Sequence, residues 1–246
     1  MTSPLLAANW KMYKTRAEAR EFCQCLIRDV PAQDLRHALI APAYPLLETV
    51  VGAVQASPVR VGAQNCHWEV EGAFTGEVSV RMLKDLGVEW TLVGHSERRH
   101  VFGETDALLA RRLEGTLRQG MKVIYCVGET LSDRNAQATE SVLALQLEPL
   151  AKVGDVWHNL VVAYEPVWAI GTGVVATLDQ IDAAHACIQR ACPGLPILYG
   201  GSVNPGNIEG IMGLERVSGA LIGGAALDVG KYRAMLTAAL KVKGVQ

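Results

Sequence analysis

Residues 160–173 read LVVAYEPVWAIGTG, and this stretch decides the fold. Its first five residues form a short, β-branched apolar run that stops before a proline, which is typical of a buried strand. Glu165 therefore lies where a strand gives way to a loop. Pro166 favours an extended backbone at Glu165, while Gly171 and Gly173 free the backbone at the far end. The stretch fits either a hinged lid beside a carboxylate or an ordinary loop with a solvated glutamate.

The same pattern occurs eight times along the chain: an apolar strand is followed by polar or glycine residues and then by a helical pattern. We predict strands at residues 5–9, 38–42, 59–65, 90–93, 121–127, 160–164, 196–199 and 219–222. We predict helices at residues 15–27, 46–54, 80–86, 106–119, 135–150 and 179–191, with a short one from residue 205 and a last one ending at residue 240. Strict alternation indicates a parallel sheet, and eight strands close a barrel.

No linker divides these units, so we expect one (β/α)8 TIM barrel domain over residues 1–246. A doubly wound open sheet is the alternative. That fold usually carries a nucleotide-binding fingerprint after its first strand, and Asn9-Trp10-Lys11 is not one. The barrel is therefore the better prediction.

The composition excludes several classes of partner. The 246 residues are 50% hydrophobic and 20% charged, which is typical of a globular protein with a large core. The net charge is -2 and the basic residues are scattered, so we expect no nucleic-acid binding. No apolar stretch approaches membrane-spanning length, and the start of the chain lacks a signal-peptide pattern. The six cysteines show no CxxC pair and no metal-ligand spacing, so we expect a cytoplasmic protein that acts on small molecules.

In such a barrel the residues that follow the strands converge on one end, which we call the mouth. The polar residues expected there are Asn9, Lys11, Gln64, Asn65, His95, Ser96, Glu97, Glu129, Glu165 and Ser202. Glycine-rich turns join them at Gly171, Gly200-Gly201 and Gly223-Gly224, after strands six, seven and eight. Turns without a Cβ let backbone N–H groups approach an anion, so these three turns predict a phosphate site.

His95 and Lys11 each allow more than one role. His95 is either a hydrogen-bonded structural residue or, at a helix start, a neutral donor to a substrate oxygen. Its spacing to Glu97 and His100 is not that of a metal site. Lys11 fits a solvated loop lysine, a Schiff-base nucleophile or a fixed positive charge, and the polar neighbour Asn9 favours the fixed charge.

Over essentially its whole length the chain resembles the triosephosphate isomerase family. The resemblance rests on residues 8–12 (ANWKM), 62–65 (GAQN), 72–77 (GAFTGE), 93–99 (VGHSERR), 102–104 (FGE), 126–130 (CVGET), 163–173, 199–203 (YGGSV) and 222–225 (IGGA). It implies interconversion of dihydroxyacetone phosphate and D-glyceraldehyde 3-phosphate in glycolysis and gluconeogenesis, with no cofactor and no metal.

The resemblance also implies roles for single residues. Glu165 is the base and neutral His95 the electrophile, a pairing for which this family is itself a standard example, so these roles come from the resemblance and not from spacing. Asn9 and Lys11 are implied to stabilise the enediolate. The supporting residues are Ser96, Glu97 as the partner of Lys11, and Ile170 with Leu221 as an apolar clamp on Glu165.

The remaining implications concern phosphate and assembly. The main chain of Gly171, Ser202, Gly223 and Gly224 is implied to hold the phosphate. The family is typically a homodimer in which the loop of residues 72–77 enters the other subunit and brings Thr75 near the partner's Asn9 and the partner's His95.

The chain departs from the family pattern after the lid, where Val174-Val175-Ala176 makes an apolar hinge in place of a more polar one. Ser218-Gly219 and His100 are further departures, and none removes a proposed catalytic group. Two other functions stay open at this point. One is a barrel that binds phosphate or a protein without turnover; the other is a Schiff-base aldolase or metal-dependent epimerase, which needs a lysine within a central strand or a cluster of metal ligands.

Overall fold

The computed structural model describes residues 3–171 and 173–245, apart from the side chains of residues 155 and 156. Eight strands pair in parallel, in chain order, and the first closes on the eighth. This confirms the predicted (β/α)8 barrel. The assignment of residues 1–246 to one domain stays a prediction. Thr172 of the expected lid lies outside the described residues. So do Met1 and Thr2, which belong to the segment where the sequence shows no signal-peptide pattern.

The elements alternate as expected. The strands are β1 Leu5–Asn9, β2 Ala38–Ala41, β3 Arg60–Ala63, β4 Trp90–Val93, β5 Lys122–Val127, β6 Leu160–Tyr164, β7 Ile197–Tyr199 and β8 Gly219–Ile222. The α-helices are α1 Arg16–Asp29, α2 Ala32–Leu35, α3 Leu47–Val54, α4 Val80–Asp85, α5 Ser96–His100, α6 Asp106–Arg118, α7 Leu131–Asn135, α8 Thr139–Leu147, α9 Leu178–Ala191, α10 Ile208–Gly213 and α11 Val229–Val242. In the described part of the chain, no helix is long and apolar enough to cross a membrane.

Alternate strand residues face two different cores. One core fills the barrel and contains strand residues alone: Leu5, Ala7, Leu39, Ala41, Trp90, Leu92, Ile124, Cys126, Val161, Ala163, Leu198 and Leu221. Their sequence neighbours, such as Leu6 and Val162, belong to a larger core shared with the helices. Both faces of the strands are thus buried, which explains why the strands read as continuous apolar runs.

Two of the predicted helices differ from their predicted bounds by three residues or more, and α2 and α5 were not predicted. The helix expected at residues 135–150 is two helices, because Thr130 and Asp133 form a capping box that starts α7 earlier. Gln137 then adopts a left-handed backbone with φ 57°, which separates α7 from α8. The helix expected from residue 205 begins instead at Ile208, after a turn in which Asn207 Oδ1 accepts the N–H of Asn204 at 2.8 Å.

Candidate active site

A cavity of about 350 Å³ lies at the mouth of the barrel. Ten of the predicted site residues line it: Asn9, Lys11, His95, Glu165, Ile170, Gly171, Ser202, Leu221, Gly223 and Gly224. These residues come from the ends of β1, β4, β6, β7 and β8 and from the loops that follow, so sequence positions more than 200 apart meet in one small space. Tyr13, Gly200, Gly201 and Val203 add to the wall.

The Glu165 carboxylate is held at two points. Its Oε2 accepts the backbone N–H of Ser96 at 2.8 Å, and its Oε1 lies 3.1 Å from His95 Nε2. The residue is only 2% exposed. Both contacts come from the start of α5, so the carboxylate has a fixed position in a nearly dry environment.

Glycines on both sides let the backbone reach this position. A Cβ on Gly128, just after β5, would lie 1.8 Å from the Glu165 carbonyl oxygen. A Cβ on Gly200, just after β7, would lie 2.8 Å from Glu165 Cγ. The N–H of Glu165 donates to Val127 O at 2.7 Å. Gly200 therefore has a second reason to be glycine besides the predicted phosphate turn, namely the close approach of the glutamate.

Hydrogen bonding assigns the tautomer of His95. Its Nδ1 accepts the backbone N–H of Glu97 at 3.2 Å, which caps α5. A nitrogen that accepts from an N–H carries no proton itself, so this hydrogen bond assigns the ring proton to Nε2. Nε2 faces the Glu165 carboxylate. His95 can therefore donate from Nε2 to an oxygen atom in the cavity.

Lys11 is fixed by three contacts and a strained backbone. Its Nζ donates to Glu97 Oε1 at 2.7 Å, its N–H donates to Asn9 Oδ1 at 2.9 Å, and its carbonyl accepts from Gln64 Nε2 at 2.8 Å. Its φ of 49° is unusual for a residue other than glycine, and such strain is concentrated at functional sites. The ion pair with Glu97 holds the Lys11 Nζ in one position beside the cavity.

The glycine turns place their backbone at the cavity wall. One backbone N–H of these turns, that of Ser202, already donates a hydrogen bond within the chain. Gly223 and Gly224 begin a 3-10 turn, Gly224–Leu227, at the cavity wall. The N–H of Ser202 donates to Ala169 O at 2.9 Å, and its Oγ donates to the same oxygen at 2.6 Å. In this conformation Ser202 is bonded to the lid, so it must exchange those bonds before either group can bind an anion.

Four of the polar residues expected at the mouth stand behind the cavity wall. Ser96 and Glu97 act on Glu165 and Lys11 as described, and Gln64 holds the loop after β1. Glu129 is fully buried and accepts hydrogen bonds from Tyr164 Oη at 3.0 Å, Trp168 Nε1 at 2.9 Å and Arg134 Nη1 at 3.1 Å. It thereby ties the beginning of the lid to the barrel.

Two other residues of the predicted set, Asn65 and Thr75, do not line the cavity. Asn65 is buried and its carbonyl accepts from Tyr44 Oη at 2.6 Å. Thr75 lies on the exposed loop of residues 72–77, away from this chain's own cavity. Among residues 3–171 and 173–245, no group of His, Cys, Asp and Glu side chains is placed to hold a metal ion.

Sequence reasoning missed Cys126, which lies in the barrel core near Glu165. Burial raises the pKa of the Cys126 thiol well above its ordinary value, and the Glu165 carboxylate raises that pKa further. The thiol is therefore neutral and adds no second negative charge beside the glutamate. The available signal was its place in β5, since every second residue of that strand faces the barrel interior.

Comparison with known proteins agrees with this geometry. Residues 4–239 match the family described as Triosephosphate isomerase. The chain belongs to the triosephosphate isomerase family. Relatives with the name Triosephosphate isomerase include those of Chlorobium phaeobacteroides (strain BS1), at 43% identity over 97% of this chain and 100% of the relative, and of Synechococcus sp. (strain JA-2-3B'a(2-13)), at 46% identity over 91% and 92%. Triosephosphate isomerase of Geobacter metallireducens is 42% identical over 96% of this chain and 98% of the relative. The resemblance inferred from the motifs is confirmed.

Replacing Glu97 by glutamine tests the support of Lys11 in this triosephosphate isomerase family member. Glu97→Gln keeps a hydrogen-bond acceptor but removes the negative charge beside Lys11 Nζ. The pair is partly exposed, with side-chain exposures of 22% and 43%, so we expect little loss of stability. We expect kcat/KM for isomerisation to fall about tenfold, because the ammonium loses its fixed position.

Glu89→Gln is the matched control, since it removes the same charge from an exposed lysine pair, Lys122 Nζ with Glu89 Oε2 at 3.0 Å. Steady-state kinetics and thermal melts of both variants give the comparison. Equal kcat/KM for Glu97→Gln and the unmodified chain would contradict the assigned support of Lys11.

Proposed function

We propose that the mouth cavity catalyses the reaction of the triosephosphate isomerase family, the interconversion of dihydroxyacetone phosphate and D-glyceraldehyde 3-phosphate through an enediolate. The substrate is a small phosphorylated triose, and the reaction belongs to glycolysis and gluconeogenesis. One observation carries the proposal for the site: the buried Glu165 carboxylate lies 3.1 Å from His95 Nε2 at a cavity that Lys11 also lines.

Glu165 is the general base in this proposal. Its carboxylate takes a proton from the substrate carbon beside the carbonyl, and the C–H electron pair forms the carbon–carbon double bond of the enediolate. Glu165 then returns the proton to the neighbouring carbon. Ile170 and Leu221 line the same cavity, and their apolar side chains exclude water from the carboxylate. One residue thus serves both directions of the reaction.

His95, Lys11 and Asn9 stabilise the charge that develops on the substrate oxygens. The neutral imidazole donates from Nε2 to each oxygen in turn, and the Lys11 ammonium supplies a fixed positive charge. Donors that are already oriented cost no reorganisation when the oxyanion forms. Because each step moves only protons between these groups, the reaction needs no cofactor and no metal.

The phosphate binds to the main chain of Gly171, Ser202, Gly223 and Gly224, at the cavity wall that carries the glycine turns. Ser202 now donates to Ala169 O in the lid. Phosphate binding therefore competes with a bond between Ser202 and the lid, which couples phosphate binding to lid movement. Closure excludes water and protects the enediolate from loss of phosphate.

A homodimer is the proposed assembly. Large apolar side chains stand exposed on the loops after β1, β3 and β4, including Met12 at 92%, Phe74 at 41% and Phe102 at 66%. Exposed apolar groups on loops at the same end of the barrel favour an interface with a second copy, and Thr75 belongs to the same loop as Phe74. Sedimentation velocity at micromolar concentration should give twice the chain mass of 26.5 kDa, and a species at the single-chain mass would contradict the dimer.

The proposed compartment is the cytoplasm. All six cysteines, each within the described residues, are free thiols, as a reducing compartment favours. Fractionation of the source cells tests the location, and recovery of the protein outside the cytoplasmic fraction would contradict it.

A coupled enzyme assay tests the function most simply. The purified chain is mixed with D-glyceraldehyde 3-phosphate, and dihydroxyacetone phosphate is followed through a dehydrogenase, with and without a metal chelator. We expect isomerisation that is equal in both conditions, because the proposed groups are side chains and backbone only. The coupling enzyme is checked separately for resistance to the chelator. Absent isomerisation, or activity lost on chelation of the isomerase alone, would contradict the proposal.

A further inference from the structure

A second cavity opens at the opposite end of the barrel, where the strands begin. Its volume is about 650 Å³, compared with about 350 Å³ at the mouth. Leu160, the first residue of β6, borders this second cavity, and Glu165, just after β6, borders the mouth cavity. At a rise of about 3.3 Å per residue, the five steps from Leu160 to Glu165 correspond to roughly 16 Å. The second cavity is therefore separate from the proposed active site.

The walls of this cavity are largely apolar and include flat aromatic surface. Leu5, Trp90 and Leu198 belong to the core that fills the barrel, and Trp157 joins them from the segment before β6. Trp90 keeps 9% of its surface exposed although it points into the barrel core. A concave site with tryptophan walls suits a flat apolar ligand.

Among the described side chains, two hydrogen-bond donors of residues that line the cavity have no hydrogen-bond partner. The guanidinium of Arg60, at the start of β3, lies 5.9 Å from the Trp90 ring and makes no salt bridge or hydrogen bond with any side chain or backbone group that the structure describes. The Trp90 indole N–H is buried, and the described part of the chain offers it no acceptor. Burial lowers the pKa of Arg60, while the charge of Glu89 opposes that shift. A partly buried cation and an unsatisfied donor both favour the binding of an anion.

We propose that this cavity is a second binding site, here named the floor site and lined by Leu5, Arg60, Trp90, Trp157, Leu198 and Ser218, for a small aromatic carboxylate. The aromatic ring of the ligand packs against the tryptophans, and its carboxylate accepts hydrogen bonds from Arg60. Ser218 supplies a further polar group at the rim. The floor site uses none of the residues assigned to isomerisation, so binding there can be tested independently of the proposed reaction.

Binding of naphthalene-2-carboxylate to the full chain tests this site. Heteronuclear NMR follows the indole N–H signals of Trp90 and Trp157 and the Nε–H signal of Arg60 during the titration. We expect saturable shifts of these signals. We also expect the neutral analogue naphthalene-2-carboxamide to bind about tenfold more weakly, because it cannot form the charge-assisted bond. This comparison needs no variant, so it holds even if a substitution disturbs folding.

Arg60→Gln should weaken binding of the carboxylate about tenfold and leave binding of the carboxamide nearly unchanged. Lys122→Gln is the matched control. Lys122 Nζ lies 5.7 Å from the same Trp90 ring but pairs with Glu89 at 3.0 Å and lies outside the cavity lining, so we expect less than a twofold change. Isomerase KM should not rise in the presence of the carboxylate.

Several results would overturn the floor site. They are absence of saturable binding, equal affinity for the carboxylate and the carboxamide, equal losses in Arg60→Gln and Lys122→Gln, or competitive inhibition of the isomerase, which would assign the ligand to the mouth instead.

Discussion

The Glu165 carboxylate is positioned by two contacts from the start of α5, and the rest of the site depends on these contacts. Ser96 N–H binds one oxygen at 2.8 Å, and His95 Nε2 lies 3.1 Å from the other. The same turn fixes His95 through its capping bond to Glu97 N–H. His95, the Ser96 N–H that holds Glu165, and Glu97 as the partner of Lys11 thus belong to one five-residue helix and the residue before it. A shift of α5 would move all of them together.

The barrel supplies the rigidity that this arrangement needs. Gly128 and Gly200 allow β5 and β7 to crowd the end of β6, and Glu129 ties Trp168 at the start of the lid to the same wall. The interior is packed between the two ends, so the mouth and the floor site are distinct environments. The mouth combines charge with glycine backbone, whereas the floor combines tryptophan surface with the Arg60 guanidinium, which has no hydrogen-bond partner in the described part of the chain.

Much of the fold could be predicted because each strand is an apolar run that ends in polar or glycine residues. The barrel alone predicted that eight of the ten site residues converge on one cavity, and the family resemblance added Ile170 and Leu221. The sequence could not predict that α7 and α8 are separate helices, because their separation depends on the left-handed backbone of Gln137. The role of Ser96 was equally hidden, since the donor is its backbone N–H and its residue type carries no signal. The bonds from Ser202 to Ala169 and the position of Arg60 beside Trp90 depend on tertiary contacts that no local pattern encodes.

The placement of the Glu165 carboxylate is tested most directly by the turnover of Glu165→Asp. This change keeps the charge but withdraws the carboxylate by one bond, away from the substrate carbon. We predict that kcat falls at least roughly a hundredfold with little change in KM, because positioning of the base is lost while substrate binding remains. Glu209→Asp, on an exposed face of α10, should leave both constants unchanged. Near-normal turnover in Glu165→Asp would contradict the role of this carboxylate as the base.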